Sequence, residues 1–222
     1  MRSLALSTAL LMTLAGCDDH TEGVSAATVE DDTPAPAETA ANEAAADEAT
    51  GRQTLTIDAE RSSVGFTGSK LSDSHDGSFE EFSGTIEFDA ENVESSAVNV
   101  TIQMASVQTE PERLLNHLKS DDFFGVETHP TATFRSTRVA PAPEGTEDAT
   151  HLITGQLALH GQTRTITFPA NVQVTDGEVS ARAEFSIDRQ QFGITYPGMP
   201  DDLISDQVVI RFDVHAPRPS ES

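Results

Sequence analysis

The chain has 222 residues, enough for one domain with appendages, and sets 37 acidic against 13 basic residues for a formal net charge of −24. A charge this negative repels the phosphate backbone, which sets nucleic-acid binding aside, and it argues against electrostatic docking on anionic headgroups. A single cysteine, Cys17, excludes an intramolecular disulfide and a thiolate metal cluster.

Arg2 gives a short basic start, and Leu4 to Leu14 is an apolar run. The run is about eleven residues long, against about 20 needed to span a bilayer, and fits the apolar region of a secretory signal peptide. It ends in Leu14-Ala15-Gly16-Cys17, which resembles the bacterial lipobox. The expectation is a signal peptide over 1–16 and a lipidated Cys17 that becomes the first residue of the mature chain. Two or more acyl chains would hold the protein on the membrane, where one would not. The envelope, facing the periplasm, is the expected location, and Asp18-Asp19 leans it towards the inner membrane.

Residues 18 to about 50 are Ala, Glu, Asp, Thr and Pro without Lys or Arg. Such a stretch buries too little apolar surface to offset its ordering entropy. Residues 17–52 are therefore expected to be the lipidated cysteine and a disordered acidic tether, with a reach of roughly 30 Å.

From Gln53 the pattern turns to alternation with a period of two. Leu55 and Ile57 are followed by Val64 and Phe66. A strand beginning near Phe79 closes with Ile86 and Phe88. Val98, Val100, Ile102 and Met104 alternate with Asn99, Thr101 and Gln103. Ala132, Phe134 and Ser136 mark a weaker strand, and Ile153, Leu157 and Leu159 another. Ile166, Phe168, Ala170, Val172 and Val174 repeat the pattern, as do Ala181, Ala183, Phe185 and Ile187, and finally Val208, Ile210, Phe212 and Val214. Asp176-Gly177 and His160-Gly161 lie between such runs and are hairpin signals. Eight or so strands with one apolar face each suggest a closed barrel or a sandwich. Thr109-Glu110-Pro111-Glu112 reads as a capping box opening a short helix through Leu114, Leu115, His117, Leu118 and Lys119. Asp121 to Gly125 is a turn with two adjacent Phe, and Pro200 to Asp206 is a second interruption; such elements can plug or lid a barrel.

Catalytic signatures are missing from the sequence: there is no G-x-S-x-G, P-loop, H-E-x-x-H or G-x-G-x-x-G. The acidic loop Asp73 to Glu81 fails the ligand count of a calcium-binding loop. No two of the seven His stand at i, i+2 or i, i+4. His117 reads as a core or polar-network residue. His75 and Asp76 could orient each other, with no nucleophile beside them. No enzyme activity, metal or cofactor is expected.

Residues 53–216 resemble the YceI-like, polyisoprenoid-binding family. The matching stretches include Val64-Gly65-Phe66, Gly77-Ser78-Phe79, Phe82-Ser83-Gly84, Ile86-Glu87-Phe88 and Ser106-Val107-Gln108-Thr109. The run His117 to Phe124 is the most specific, followed by Pro130 to Phe134, Ile153 to Gly161 and Phe192-Gly193-Ile194. The resemblance implies a lipocalin-like, eight-stranded antiparallel β-barrel with one short helix and a long apolar pore for a polyisoprenoid or isoprenoid quinone. Inward-facing candidates for the lining are Val64, Phe66, Ile86, Phe88, Val100, Ile102, Met104, Phe134, Leu157, Leu159, Phe185, Ile187, Ile210 and Phe212. Leu114, Leu118, Phe123 and Phe124 are candidates for a plug or lid. Residues 217–222 would be a disordered tail. The alternating pattern by itself fits equally a barrel filled by its own side chains, that is, a non-binding structural or stress-linked envelope lipoprotein.

Overall fold

A computed structural model describes residues 21, 23–30, 52–146 and 148–219. The expected signal peptide, Cys17 and most of the tether lie outside the described residues.

The elements in chain order are β1 (Thr28–Glu30), β2 (Arg52–Thr56), β3 (Ser63–Lys70), β4 (Asp73–Phe79), β5 (Phe82–Asp89), β6 (Ala97–Gln103), β7 (Val107–Thr109) and α1 (Glu112–Lys119). They continue with β8 (Thr131–Pro141), β9 (His151–Leu159), β10 (Gln162–Val174), β11 (Glu178–Asp188), β12 (Gly198–Met199), β13 (Asp202–Leu203) and β14 (Gln207–Pro217). One sheet runs β2-β5-β6-β8-β9-β10-β11-β14-β3-β4-β7, with β1 added on β10; β12 and β13 form a separate small hairpin. All pairings of named strands are antiparallel. Among the described residues, the all-β class with one short α-helix is as expected, but the sheet has 12 strands rather than eight.

Alternation builds these strands. In β5, Ile86 and Phe88 are buried and Glu87 is exposed, and in β11 Ala183, Phe185 and Ile187 turn inward. The sheet curls around the inward faces. Beyond β2, the Asp58 N–H donates to the His215 carbonyl at 2.8 Å, so the chain leaving this edge strand reaches back to β14. His160 and Gly161, with φ of 49° and 73°, make the tight turn between β9 and β10. A side chain at Gly161 would also stand 2.8 Å from the His129 ring.

Several expectations are corrected. Asp73 to Glu81 is no loop, because β4 pairs with β3 on one side and β7 on the other. The single strand expected from Phe79 to Phe88 is broken at Glu80-Glu81, which belong to neither β4 nor β5. The capping box does not form. Pro111 is the N-cap, with no side-chain cap bond, and the Thr109 hydroxyl donates instead to the Asp76 carbonyl at 2.8 Å. Strand β14 runs to Pro217, and Arg218 beyond it donates to the Thr175 carbonyl at 2.7 Å, so the chain is held past 216. Within the expected tether, Thr28 to Glu30 form β1, because the edge of β10 offers main-chain partners that a polar segment can use whatever its side chains.

The interior falls into three packed clusters. One, around Leu55, Ile57, Phe88, Val179 and Val214, lies near the β10–β11 turn. A middle one holds Ile166, Phe168, Phe185 and Ile187. The third holds Phe66, Val107, Leu118, Phe123 and Ile194, under α1 and the segment after β11.

Candidate functional site

A cavity of about 260 Å³ runs through all three clusters. Ile57, Val179 and Val214 line it near the β10–β11 turn, Phe168, Phe185 and Phe212 in the middle, and Leu118, Phe123 and Ile194 under the helix. By the measure that a dry apolar cavity of about 150 Å³ admits one benzene ring, this space takes roughly ten carbon atoms without movement of its walls.

The walls are aromatic at two levels. Phe168 and Phe185 stack with centroids 4.2 Å apart and planes 6° from parallel, and Phe212 stands edge-on to both at 5.6 and 6.2 Å. Nearer the helix, Phe66, Phe79 and Phe124 meet pairwise at 5.7–5.8 Å. Offset and edge contacts of this kind hold rings in place while leaving apolar faces towards the bore.

Every residue named above for the lining or the plug borders this cavity except Leu114. Leu114 packs half-buried against the third cluster, and it is Leu118, one turn further along α1, that turns into the bore. The sequence reading missed Ile57, Phe79, Phe82, Ile166, Phe168, Val179, Ile194 and Ile204, all of them lining residues. Ile166 and Phe168 share the alternating face of β10, so that signal was present. Ile194 and Ile204 sit on the irregular segment after β11, where no periodicity marks the inward side.

Among the described residues, Arg189 is the only charged residue of the lining, and it is 4% exposed. Its Nε donates to the Ser205 carbonyl (2.9 Å) and Nη1 to the Ile194 carbonyl (2.7 Å). Its Nη2 donates to the Ile204 carbonyl (3.3 Å) and to Asp206 Oδ1 (3.0 Å). The guanidinium is thus spent on bracing the segment 189–206 across the end of the bore, with its stem against the apolar wall.

The titratable groups singled out by sequence lie elsewhere. His117 Nε2 is 2.9 Å from Asp122 Oδ2, and its ring stands edge-on to Phe123 and Tyr196. His75 approaches Asp73 at 3.9 Å rather than pairing with Asp76, whose carboxylate accepts from Thr67 and faces Arg211. On the surface, a hydrogen bond from Arg61 holds the Glu178 carboxyl below the usual range, and one from Lys70 does the same for Asp202. The lining as a whole is apolar, with the titratable groups named above lying outside it, Arg189 excepted.

A family model for the YceI-like domain matches residues 55–216. A UPF0312 protein of Ectopseudomonas mendocina is 45% identical over 94 residues, which are 42% of this chain and 47% of that protein. A second, from Pseudomonas savastanoi pv. phaseolicola, is 37% identical over 128 residues, 55% and 65% of the two chains. The alignment thus spans about half to two thirds of the length of these relatives. Among solved structures, Burkholderia cenocepacia BcnA superposes with a TM-score of 0.62 at 25% identity, covering 72% of this chain and 99% of its own. A polyisoprenoid-binding domain from Saccharophagus degradans, implicated in plant cell wall breakdown, shares the fold with a TM-score of 0.58 at 19% identity, over 74% and 98%. A Campylobacter jejuni YCEI protein gives 0.56 at 27%, over 65% and 85%.

Proposed function

Since the chain belongs to the YceI-like domain family, we propose that it is a membrane-anchored bacterial envelope lipoprotein that binds, and carries, an isoprenoid-type lipid in its apolar bore. The observation that carries this reading is the bore itself, whose lining among the described residues contains no carboxylate, no lysine and one arginine held by four hydrogen bonds. Burying several hundred Å² of apolar tail at about 25 cal/mol/Å² is a gross gain on the order of 10 kcal/mol, much of it lost to ordering. The structural neighbour from Saccharophagus degradans, a polyisoprenoid-binding domain of the same fold, supports a prenyl chain or an isoprenoid quinone as the occupant.

The anchor is Cys17, with the acyl chains in the bilayer and the domain facing the periplasm. Replacing Cys17 by Ser is expected to abolish incorporation of labelled palmitate and to release the protein into the soluble fraction; retention of label in that variant overturns the anchor. For the bore, Ile102→Asp places a charge on the lining and is expected to abolish lipid retention. Phe88→Asp does the same near the β10–β11 turn. Circular dichroism shows which variant remains folded, and unchanged lipid content in a folded one contradicts the assignment.

A further inference from the structure

The wall of the bore parts between β10 and β11, and the gap is filled by β1. Strands β10 and β11 pair only from Asn171↔Arg182 to Val174↔Val179. Continued, that register would set Thr167 opposite Ser186 and Ile166 opposite Ile187. Instead, Thr167 faces Thr28, Ile166 faces Val29, and Ser186 bridges to Ala26. The two strands separate beyond Asn171, and the chain from Ser25 to Glu30 lies between them. Pro169 stands at the fork, two residues past the last pair, with no N–H to donate to a ladder.

What β1 covers is the bore. Ile166 (1% exposed) and Ile187 (3%) both line the cavity, and Val29 and Ala27 pack against the cluster they belong to. Ser186 (2%) donates its N–H to the Ser25 carbonyl at 3.0 Å and accepts from the Ala27 N–H at 2.8 Å. The covering segment is slight: Thr28 and Glu30 point outward, and Val29 is only half-buried. It is held by a short ladder and two further main-chain bonds, against eleven residue pairs between β11 and β14. The cavity, at about 260 Å³, is also smaller than a long prenyl chain.

We propose that β1 is a detachable gate strand, and that the slit between β10 and β11 which it closes is the lateral entrance through which an isoprenoid tail enters the bore. The inference rests on the lipid-holding reading above. It also places the entrance: Ser25 follows Cys17 by eight residues (25 − 17), a reach of at most roughly 28 Å, so a Cys17 anchored in the bilayer keeps the slit near the membrane surface.

The test locks the gate. Thr28 and Thr167 are directly opposed across the antiparallel ladder, a spacing of about 5.5 Å or less that a disulfide can span, and the full chain carrying Thr28→Cys and Thr167→Cys is reconstituted in phosphatidylcholine vesicles. A diazirine-bearing farnesol is added, and its photo-crosslinking to the protein is followed over time. The oxidised double variant is expected to load at least tenfold more slowly than the same protein after dithiothreitol, with both single variants loading at the wild-type rate. Equal rates in the oxidised and reduced forms overturn the gate and leave lipid binding intact. Failure of the pair to bridge on oxidation shows that β1 does not sit on β10, and also overturns it. A protein that takes up no farnesol in any state overturns the lipid-holding reading and the gate with it.

Discussion

Strand β11 has two neighbours and treats them differently. Against β14 it is paired along its whole length, from Glu178↔Pro217 to Asp188↔Gln207. Against β10 it is paired over four residues and then parts from it. Both seams are built from alternating apolar strands of similar composition, so burial alone cannot decide which one closes. The difference lies in the main chain: β14 offers a row of donors and acceptors unbroken from Gln207 to Ala216, whereas β10 carries Pro169 two residues past its last pair with β11. A lipid-holding bore gains from such inequality, because one seam can open while the other keeps the wall together.

The largest expected effect comes from the side chain both seams share. Phe185 pairs across to Ile210 on one side and stacks on Phe168 across the other. Phe185→Ala is expected to cost about 3–5 kcal/mol in urea unfolding. A loss near zero would mean that the two strands are not joined through the core as described. Gly155, on the fully paired far side of β10, probes how rigid a closed ladder is. A Cβ there would lie 2.5 Å from the Arg135 carbonyl oxygen and 2.5 Å from the Phe134 ring. Gly155→Ala should therefore destabilise by about 1–3 kcal/mol, again read by urea unfolding.

Deleting residues 25–30 sharpens the comparison without touching either long ladder. The Ser186 amide loses its acceptor and is expected to exchange with deuterium at least tenfold faster, while the β11 amides bonded to β14 keep their protection. Uniformly faster exchange along β11 would show that the seams are not independent. The smallest effect concerns Glu178, at the foot of the closed seam. Its carboxyl is held below the ordinary range by Arg61. A lowered value in the folded state contributes stability that is present above the ordinary glutamate value of about 4.3 and is lost as pH falls through the lowered one. Glu178→Gln removes that contribution, so below about pH 4.3 its urea midpoint should fall less steeply than that of the parent. Parallel pH profiles would remove Arg61 as the cause.

Much of the bore was legible because period-two alternation names the inward face without any knowledge of the partners. Phe66, Ile86, Ile102, Phe185 and Phe212 followed from it directly. Strand β4 was hidden because its Ser, His, Asp and Gly residues read as a polar loop, and its place comes from pairing on both sides rather than from burial. Strand β1 was hidden for the same reason: Thr-Val-Glu in an acidic stretch has one apolar side chain and no period. Pro169, which the alternating pattern of β10 passes over, lies where β10 exchanges its β11 partner for β1. Arg189 could not be found, because its partners are the carbonyls of Ile194, Ile204 and Ser205, which a sequence does not place.

The most direct measurement is mass spectrometry of an organic extract of the full-length protein purified from its native host. The account predicts a prenyl lipid or isoprenoid quinone near one per chain, absent from the Ile102→Asp variant. A clean extract, together with failure to take up added quinone, would contradict it and leave a curled β-sheet domain whose role does not involve holding a lipid.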